Sequence, residues 1–315
     1  MIYSEVIIVG GGPAGSTCAW QLRESGVDCL ILDKESFPRL KLCAGWITPK
    51  VVTDLKIDLN SYPHSLNLLD YLHVNIFGLT LKLRAKQYSI RRWEFDEWLL
   101  QRSGVKVETH PVKDIRVENG FYIIDEKYRC RYLIGAGGTF CPVYNTFFKA
   151  INPRTRAVVT MEQEFAYNYT DPNCYLWFFE NKFPGYSWYV PKGKGYLNIG
   201  IGGSLEALKA KHRTIRDYWG YFVRKLSNLS LVNDYPFAPK GYVYYLRENI
   251  QTGQIGNAFI IGDALGLATR DLGEGIEPAV ESGLEAAKAI INGSNYSVKS
   301  IKKYSLFSII KDCFQ

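Results

Sequence analysis

The stretch Val6-Ile-Ile-Val9-Gly10-Gly-Gly12-Pro13-Ala14-Gly15 decides the fold of this 315-residue chain. A short continuous apolar run marks a strand buried on both faces, as in a parallel sheet. The turn after it has the G-x-G-x-x-G spacing. Gly10 permits the tight turn, Gly12 lets backbone approach a pyrophosphate, and Gly15 lets helix and strand pack closely. A helix is expected from about Ala14 to Ser25, capped by Gly26, then a second strand over Val27-Asp-Cys-Leu-Ile-Leu32. Asp33 stands 18 residues after Gly15, placed for ribose hydroxyls. The helix N-terminus adds N–H donors and positive potential for phosphates. A glycine corner without a ligand is the plain alternative. Strand, turn, helix, strand and acid in register outweigh it.

Late in the chain, Phe259-Ile-Ile261 is another short apolar run, followed by Gly262-Asp263-Ala264 and an expected helix. An aspartate there can accept from a ribityl hydroxyl, and the helix N-terminus behind it can face a flavin's pyrimidine edge. Read with the first motif, this selects FAD over NAD. The plain alternative for Asp263 is a helix N-cap.

Between these motifs, residues 62–90 alternate apolar and polar (Leu72-His-Val74-Asn-Ile76, Leu79-Thr-Leu81-Lys-Leu83), which predicts antiparallel strands. Arg91 to Leu100 looks helical, and further strands are expected at 105–107, 115–117, 121–124 and 132–134. Residues 158–245 form a second strand-rich stretch, and a helix runs from about Ile276 to Ile291. The expected class is α/β: a discontinuous, three-layer, Rossmann-like FAD domain (1–61, 91–157 and 246–292) with an inserted antiparallel β-rich substrate domain (62–90 and 158–245). Residues 293–315 form a C-terminal tail.

Composition narrows the classes. Aromatics reach 14%, which suits a pocket for a flat or greasy ligand, although core packing accounts for much of it. The net charge of +7 suits an anionic cofactor, an acidic redox partner or an anionic membrane surface. No Lys/Arg block is dense enough for nucleic acid. Seven cysteines without a CxxC pair read as reduced thiols of a cytoplasmic protein. Four scattered histidines offer no metal-ligand spacing, and Gly202-Gly-Ser204 lacks the nucleophile elbow. Neither a signal peptide nor a membrane span is expected. In the tail, Leu306, Ile309, Ile310 and Cys313 share a helical face flanked by Lys302, Lys303 and Lys311. Docking on the protein's own core is expected, with peripheral contact at the inner face of the membrane as the alternative.

The Gly10 turn, Arg92-Trp-Glu-Phe-Asp96, Gly135-Ala136-Gly137-Gly-Thr139, Tyr186-Ser-Trp188-Tyr-Val-Pro191, Gly262-Asp-Ala-Leu-Gly266 and Asp271-Leu-Gly273-Glu-Gly275-Ile276 occur in an informative order. In that order they resemble the geranylgeranyl reductases, FAD enzymes on the p-hydroxybenzoate hydroxylase-like fold. The likeness spans roughly residues 1 to 292. It implies that Arg39-Leu-Lys-Leu-Cys43-Ala44-Gly45 runs along the flavin ring, with Cys43 in catalysis or flavin positioning rather than plain core packing. Arg92 would contact the cofactor, against a helix-start surface charge. Lys34, Val112, Ala136 and Gly137 would join it. Gly273, Gly275 and Ile276 would place N–H groups beside flavin N1 and O2, where charge collects on reduction; Glu274 is read as a helix-start acid. Tyr186 and Trp188 would line the substrate side, against sheet-core aromatics. Cys43 and Tyr186 are the candidate proton donors.

The resemblance implies hydride transfer from reduced flavin to an isolated C=C of a hydrophobic isoprenoid substrate. NADPH-using relatives of the fold carry Asp-Gly where this chain has Gly137-Gly138, which leaves ferredoxin or another carrier as a candidate donor. The chain ends soon after the last family helix, implying a more open pocket, a smaller substrate or a completing partner. Two alternatives stay open: a flavin-dependent monooxygenase or halogenase, whose Trp-x-Trp-x-x-Pro element has Tyr186 here in first place, and a non-catalytic flavoprotein serving as redox sensor or electron-transfer subunit.

Overall fold

Ile2–Val9 is a central strand whose Val6, Ile7 and Ile8 are sealed from water, as the opening run requires. It belongs to a computed structural model that describes residues 1–306 and divides into two units. The first comprises Met1–Arg39, Trp93–Thr155 and Tyr245–Ser305. Its sheet runs Gln254–Ile255, Ala258–Ile260, Tyr128–Gly135, Ile2–Val9, Cys29–Asp33, Lys106–Thr109. The ladders from Ala258–Ile260 through Lys106–Thr109 are all parallel. A hairpin of Ile115–Glu118 and Phe121–Ile124 is attached antiparallel to Tyr128–Gly135.

Helix Pro13–Glu24 follows the glycine turn, and the last long helix among the described residues, Ile276–Asn292, packs on it. A Cβ at Gly283 would stand 2.5 Å from the Ala14 carbonyl oxygen, so glycine sets how close the two helices come.

In the second unit, Leu40–Arg92 and Arg156–Tyr244 build a mixed sheet ordered Lys240–Tyr245, Ala157–Ala166, Tyr196–Ser204, Gly185–Lys192, Cys174–Phe178, Asn67–Ile76, Leu79–Ser89, Trp46–Ile47. Cys174–Phe178 pairs parallel with Asn67–Ile76, while the ladders of Tyr196–Ser204 and of Leu79–Ser89 are antiparallel. Phe222 and Leu226 of helix Ile215–Asn228 join Met161, Phe165, Tyr189, Leu197 and Ile199 in one apolar cluster. Period-two alternation therefore sends Tyr189 toward that cluster and Tyr186, Trp188 and Val190 to the other face.

Three expectations need correction. Residues 40–61, read as part of the nucleotide domain, fall in the second unit, because Trp46–Ile47 pairs with Leu79–Ser89. Residues 293–305, read as tail, belong to the first unit, where Tyr296, Val298 and Ile301 are buried in its core. The proposed tail face of Ile309, Ile310 and Cys313, with Lys311, lies outside the described residues. Finally, Gly262-Asp263-Ala264 opens a single 3₁₀ turn, Gly262–Leu265, ended by Gly266 in the left-handed region. The long helix starts only at Ile276.

Candidate functional site

In the first unit the glycine turn is shaped by close backbone contacts and one buried carboxylate. Gly10 has φ +115° and donates to the Leu32 carbonyl at 2.8 Å. A Cβ at Gly10 would overlap the Ala136 carbonyl, and one at Gly15 would overlap the Gly10 carbonyl. Asp33, buried at the end of its strand, accepts from Gly11 N–H at 2.7 Å and Glu35 N–H at 2.9 Å. It therefore holds the turn. Gly12 caps the helix without a side-chain bond and Pro13 follows it, so the first-turn amides point at what lies before the helix. Arg39 lies 3.5 Å from the buried carboxylate of Asp96, and its guanidinium is 3.3 Å from where a Gly12 Cβ would stand. A cation thus sits beside the turn. The turn fits a dinucleotide: any side chain at Gly10 or Gly15 would push its backbone apart and destroy its shape. Ala136 and Gly137 follow the adjoining strand, and Ala136 donates to Val9 at 2.8 Å. Lys34 is exposed, and Val112 is half-buried against the core.

At the late motif, Gly262 N–H donates to Ser282 Oγ at 3.0 Å. Asp263 is not an N-cap of its own turn, where Ile261 takes that place. Its Oδ1 instead lies 3.0 Å from where a Cβ at Gly275, the N-cap of the last helix, would be. Carboxylate and helix terminus are therefore neighbours, though they stand 12 positions apart in the chain. Gly273 departs from expectation, because its N–H goes to the Thr269 carbonyl at 3.0 Å. The amides of Gly275 and Ile276 remain the candidates for a ring edge. Glu274, read as a helix-start acid, is buried instead. It accepts from Ser305 Oγ at 2.6 Å and pairs with Lys302 at 2.8 Å, while Lys302 also meets Glu277 at 2.8 Å. Burial raises the Glu274 carboxyl above its ordinary value, and the two acids raise the Lys302 ammonium against its own burial. Arg154 donates to Thr139 O at 2.9 Å and Ala264 O at 3.2 Å, and lies 3.6 Å over the Tyr144 ring. No motif pointed to Arg154 or Lys302, since both act on residues far away in sequence.

The second unit holds Cys43, Ala44, Gly45, Arg92, Tyr186 and Trp188. Arg92 is 7% exposed, against the surface-charge alternative. Trp188 stands opposite Gly200, and Glu162 opposite Gly200 from the other side. A Cβ at Gly200 would overlap the Trp188 indole, so glycine lets that ring lie across the neighbouring strand. Trp188 Nε1 donates to Asn198 Oδ1 at 2.7 Å, and Asn198 Nδ2 donates to the Cys43 carbonyl at 3.3 Å. The Cys43 amide goes to Glu162. Lys192 Nζ donates to the carbonyls of Gly45 at 2.7 Å, Ile90 at 2.9 Å, and Ala44. Three buried polar side chains thus pin the Cys43–Gly45 stretch to the sheet. Burial pushes the Glu162 carboxyl up to about 8 and the Lys192 ammonium down to about 8, each opposed by neighbouring charge.

Cys43 itself is half-buried, with Sγ accepting from Gly45 N–H at 3.3 Å; the other described cysteines are buried. Tyr186 is half-buried and stacks on Phe178 with centroids 4.8 Å apart. Glu162, Lys192 and Asn198 escaped the sequence reading. The available signal was polar residues at alternate positions of apolar strands, a weak one. Among the described residues, no His/Cys/Asp/Glu group is arranged to hold a metal ion, and no helix is long and apolar enough to cross a membrane.

Comparison with known proteins agrees with the fold. Residues 8–71 match the NAD(P)-binding Rossmann-like domain family. An uncharacterised protein of Methanosarcina barkeri is 30% identical over 91% of this chain and 74% of its own length. A menaquinone reductase of Mycobacterium tuberculosis is 24% identical over 91% of this chain and 76% of its own. A geranylgeranyl diphosphate reductase of Rhodobacter capsulatus is 26% identical over 90% and 74%. Among solved structures, a geranylgeranyl bacteriochlorophyll reductase-like protein of Thermoplasma acidophilum superposes with TM-score 0.80 at 18% identity, covering 100% of this chain and 83% of that one. A flavin-dependent brominase gives TM-score 0.73 at 18% identity over 98% and 83%, which speaks for a shared fold only.

Proposed function

Because the chain belongs to the geranylgeranyl reductase family of FAD-dependent oxidoreductases, we propose that it reduces an isolated C=C in a polyprenyl chain. The observation that carries this reading is a row of directly paired side chains on one face of the second sheet: Tyr186, Phe178, Ile76 and Leu79. Four strands at about 4.8 Å spacing give an apolar track of roughly 14 Å, suited to a long hydrocarbon. The named relatives act on menaquinone and geranylgeranyl diphosphate, which share such a chain.

When bound, FAD supplies the hydride. The residues that would hold it are the Gly10–Gly15 turn, Asp33, Arg39, Asp263 and the amides of Gly275 and Ile276. Trp188, Asn198 and Lys192 keep the Cys43–Gly45 stretch in place. Tyr186 and Phe178 orient the alkene, and Cys43 or Tyr186 holds the proton that completes the reduction. Gly137, where a carboxylate would otherwise stand, favours a carrier protein over NADPH as electron donor.

Anaerobic incubation of the dithionite-reduced protein with geranylgeranyl diphosphate and menaquinone, read by mass spectrometry, tests the reading. A gain of two hydrogens is expected in geranylgeranyl diphosphate, and in menaquinone after its ring has been re-oxidised to the quinone. If no polyprenyl compound gains them, the proposal fails. Unchanged turnover in Cys43→Ser/Tyr186→Phe would remove both proton donors.

A further inference from the structure

At one end of the second unit's sheet, two loops hold bulky apolar side chains in water. Strands Asn67–Ile76 and Leu79–Ser89 are joined by Phe77 and Gly78, with φ +50° and +85°. Such a turn ordinarily takes Asn-Gly or Asp-Gly, because a bulky residue is strained in the left-handed region. Phe179, just past strand Cys174–Phe178, is left-handed too (φ +59°), and its ring stacks on Phe77 with centroids 5.5 Å apart. Neither loop needs a phenyl ring to turn. Phe77 is 79% exposed, Leu79 73%, Leu81 50% and Phe179 44%.

Lysines surround this tip. Lys82, with Arg84 and Lys86 beyond it, lies on the opposite hairpin face from Leu79 and Leu81, about 10 Å along the strand from the turn. Lys182 ends the second loop, and its carbonyl accepts from Lys211 Nζ at 2.6 Å, which brings a further lysine to this end. The acid of that loop, Glu180, is paired with Lys225.

We infer that this end of the sheet docks on an anionic lipid bilayer, with Phe77, Leu79 and Phe179 at the acyl boundary and the lysines among headgroup phosphates. Apolar tips that enter a bilayer interface go roughly 5–10 Å deep, and basic residues at that height are drawn to anionic lipid. A two-residue turn and a short loop fall short of the roughly 800 Å² per partner of a stable protein interface. The inference rests on the proposed function. A polyprenyl substrate is carried in a bilayer, and the row Leu79, Ile76, Phe178, Tyr186 starts at the tip and ends at the candidate substrate aromatic.

The test is cosedimentation of the FAD-loaded full chain with vesicles of phosphatidylcholine alone and of a phosphatidylcholine–phosphatidylglycerol mixture. Binding to the anionic vesicles is expected to be about tenfold tighter or more. Phe77→Ser/Leu79→Ser should weaken it about tenfold, and Lys82→Gln/Lys182→Gln should erase the preference for anionic lipid. Phe77→Asn separates docking from folding: asparagine suits the turn, so its melting temperature should equal or exceed the parent's while vesicle binding falls. Absence of binding to either vesicle, or undiminished binding by these variants, overturns the inference. So does a sedimentation-equilibrium dimer that Phe77→Ser/Leu79→Ser dissolves, which would assign the tip to a second copy. Vesicle binding needs no turnover, so the two readings fail separately. A chain that reduces detergent-solubilised polyprenyl compounds without binding vesicles refutes only the docking.

Discussion

At Gly15 a single methyl group would collide with the Gly10 carbonyl, although alanine is the better helix former by about 1 kcal/mol. The collision is with backbone and cannot be relieved by a rotamer. Gly15→Ala should therefore lower FAD affinity by about tenfold or more, read by flavin fluorescence titration. Glu162 makes a different prediction. Its folded pKa of about 8 lies above the ordinary value of 4.5, so folding favours the protonated form. The associated stability is complete below about pH 4.5 and is lost as pH rises toward 8. Thermal melts between these limits should show the parent losing about 1 kcal/mol per pH unit, and Glu162→Gln clearly less. Gly15 was legible because its job is set by neighbours a few residues away. Glu162 was not, because its burial and its Cys43 partner come from distant parts of the chain.

Among the elements, the loop between Thr269 and Gly275 depends on a segment about thirty residues further along. Lys302 pairs with both Glu274 and Glu277, Ser305 binds Glu274, and the Ser305 amide meets Asp271 at 2.9 Å. Removing one partner of a buried charge network leaves the other charges uncompensated, which typically costs more than the pair contributes. Lys302→Met should destabilise the protein by about 3 kcal/mol in urea unfolding. Adding Glu274→Gln should recover part of that loss; no recovery would mean that the ion pair is not the cause. The strand Phe259-Ile-Ile261 could be read from its apolar run, and the helix from its periodicity. That a 3₁₀ turn and a ten-residue loop separate them could not, since Gly262-Asp263 suits an N-cap and a turn equally.

At the scale of the molecule, the dinucleotide cradle draws on all three chain segments of the first unit: the Gly10 turn, Ala136, and the Asp263–Gly275 pair. A ligand that contacts all three stabilises the folded state by mass action. At FAD a hundredfold above Kd the gain is about 2.7 kcal/mol, which should raise the melting temperature by about 5 °C. An unchanged melting curve would argue against the cradle. The sheet of the second unit draws on two segments, and the boundary between the units could not be placed from composition because no linker marks it. Trp46–Ile47 joins the second sheet by two residues of pairing, too short a strand to read from a sequence.

By itself, the sequence determined the parallel strand, its glycine turn, the helix behind it and the acid after the second strand. Each is a matter of spacing within some thirty residues, enforced by steric exclusion and by the periods of strand and helix. Tertiary structure alone decided that Asp263 meets the terminus of the last helix, that Lys302 closes the loop before it, and that Glu162, Lys192 and Asn198 grip the Cys43 stretch. Those contacts join residues from 12 to about 155 positions apart. Burial makes each such polar pairing obligatory, but which partners meet depends on how the sheets are ordered, and no local pattern records that order.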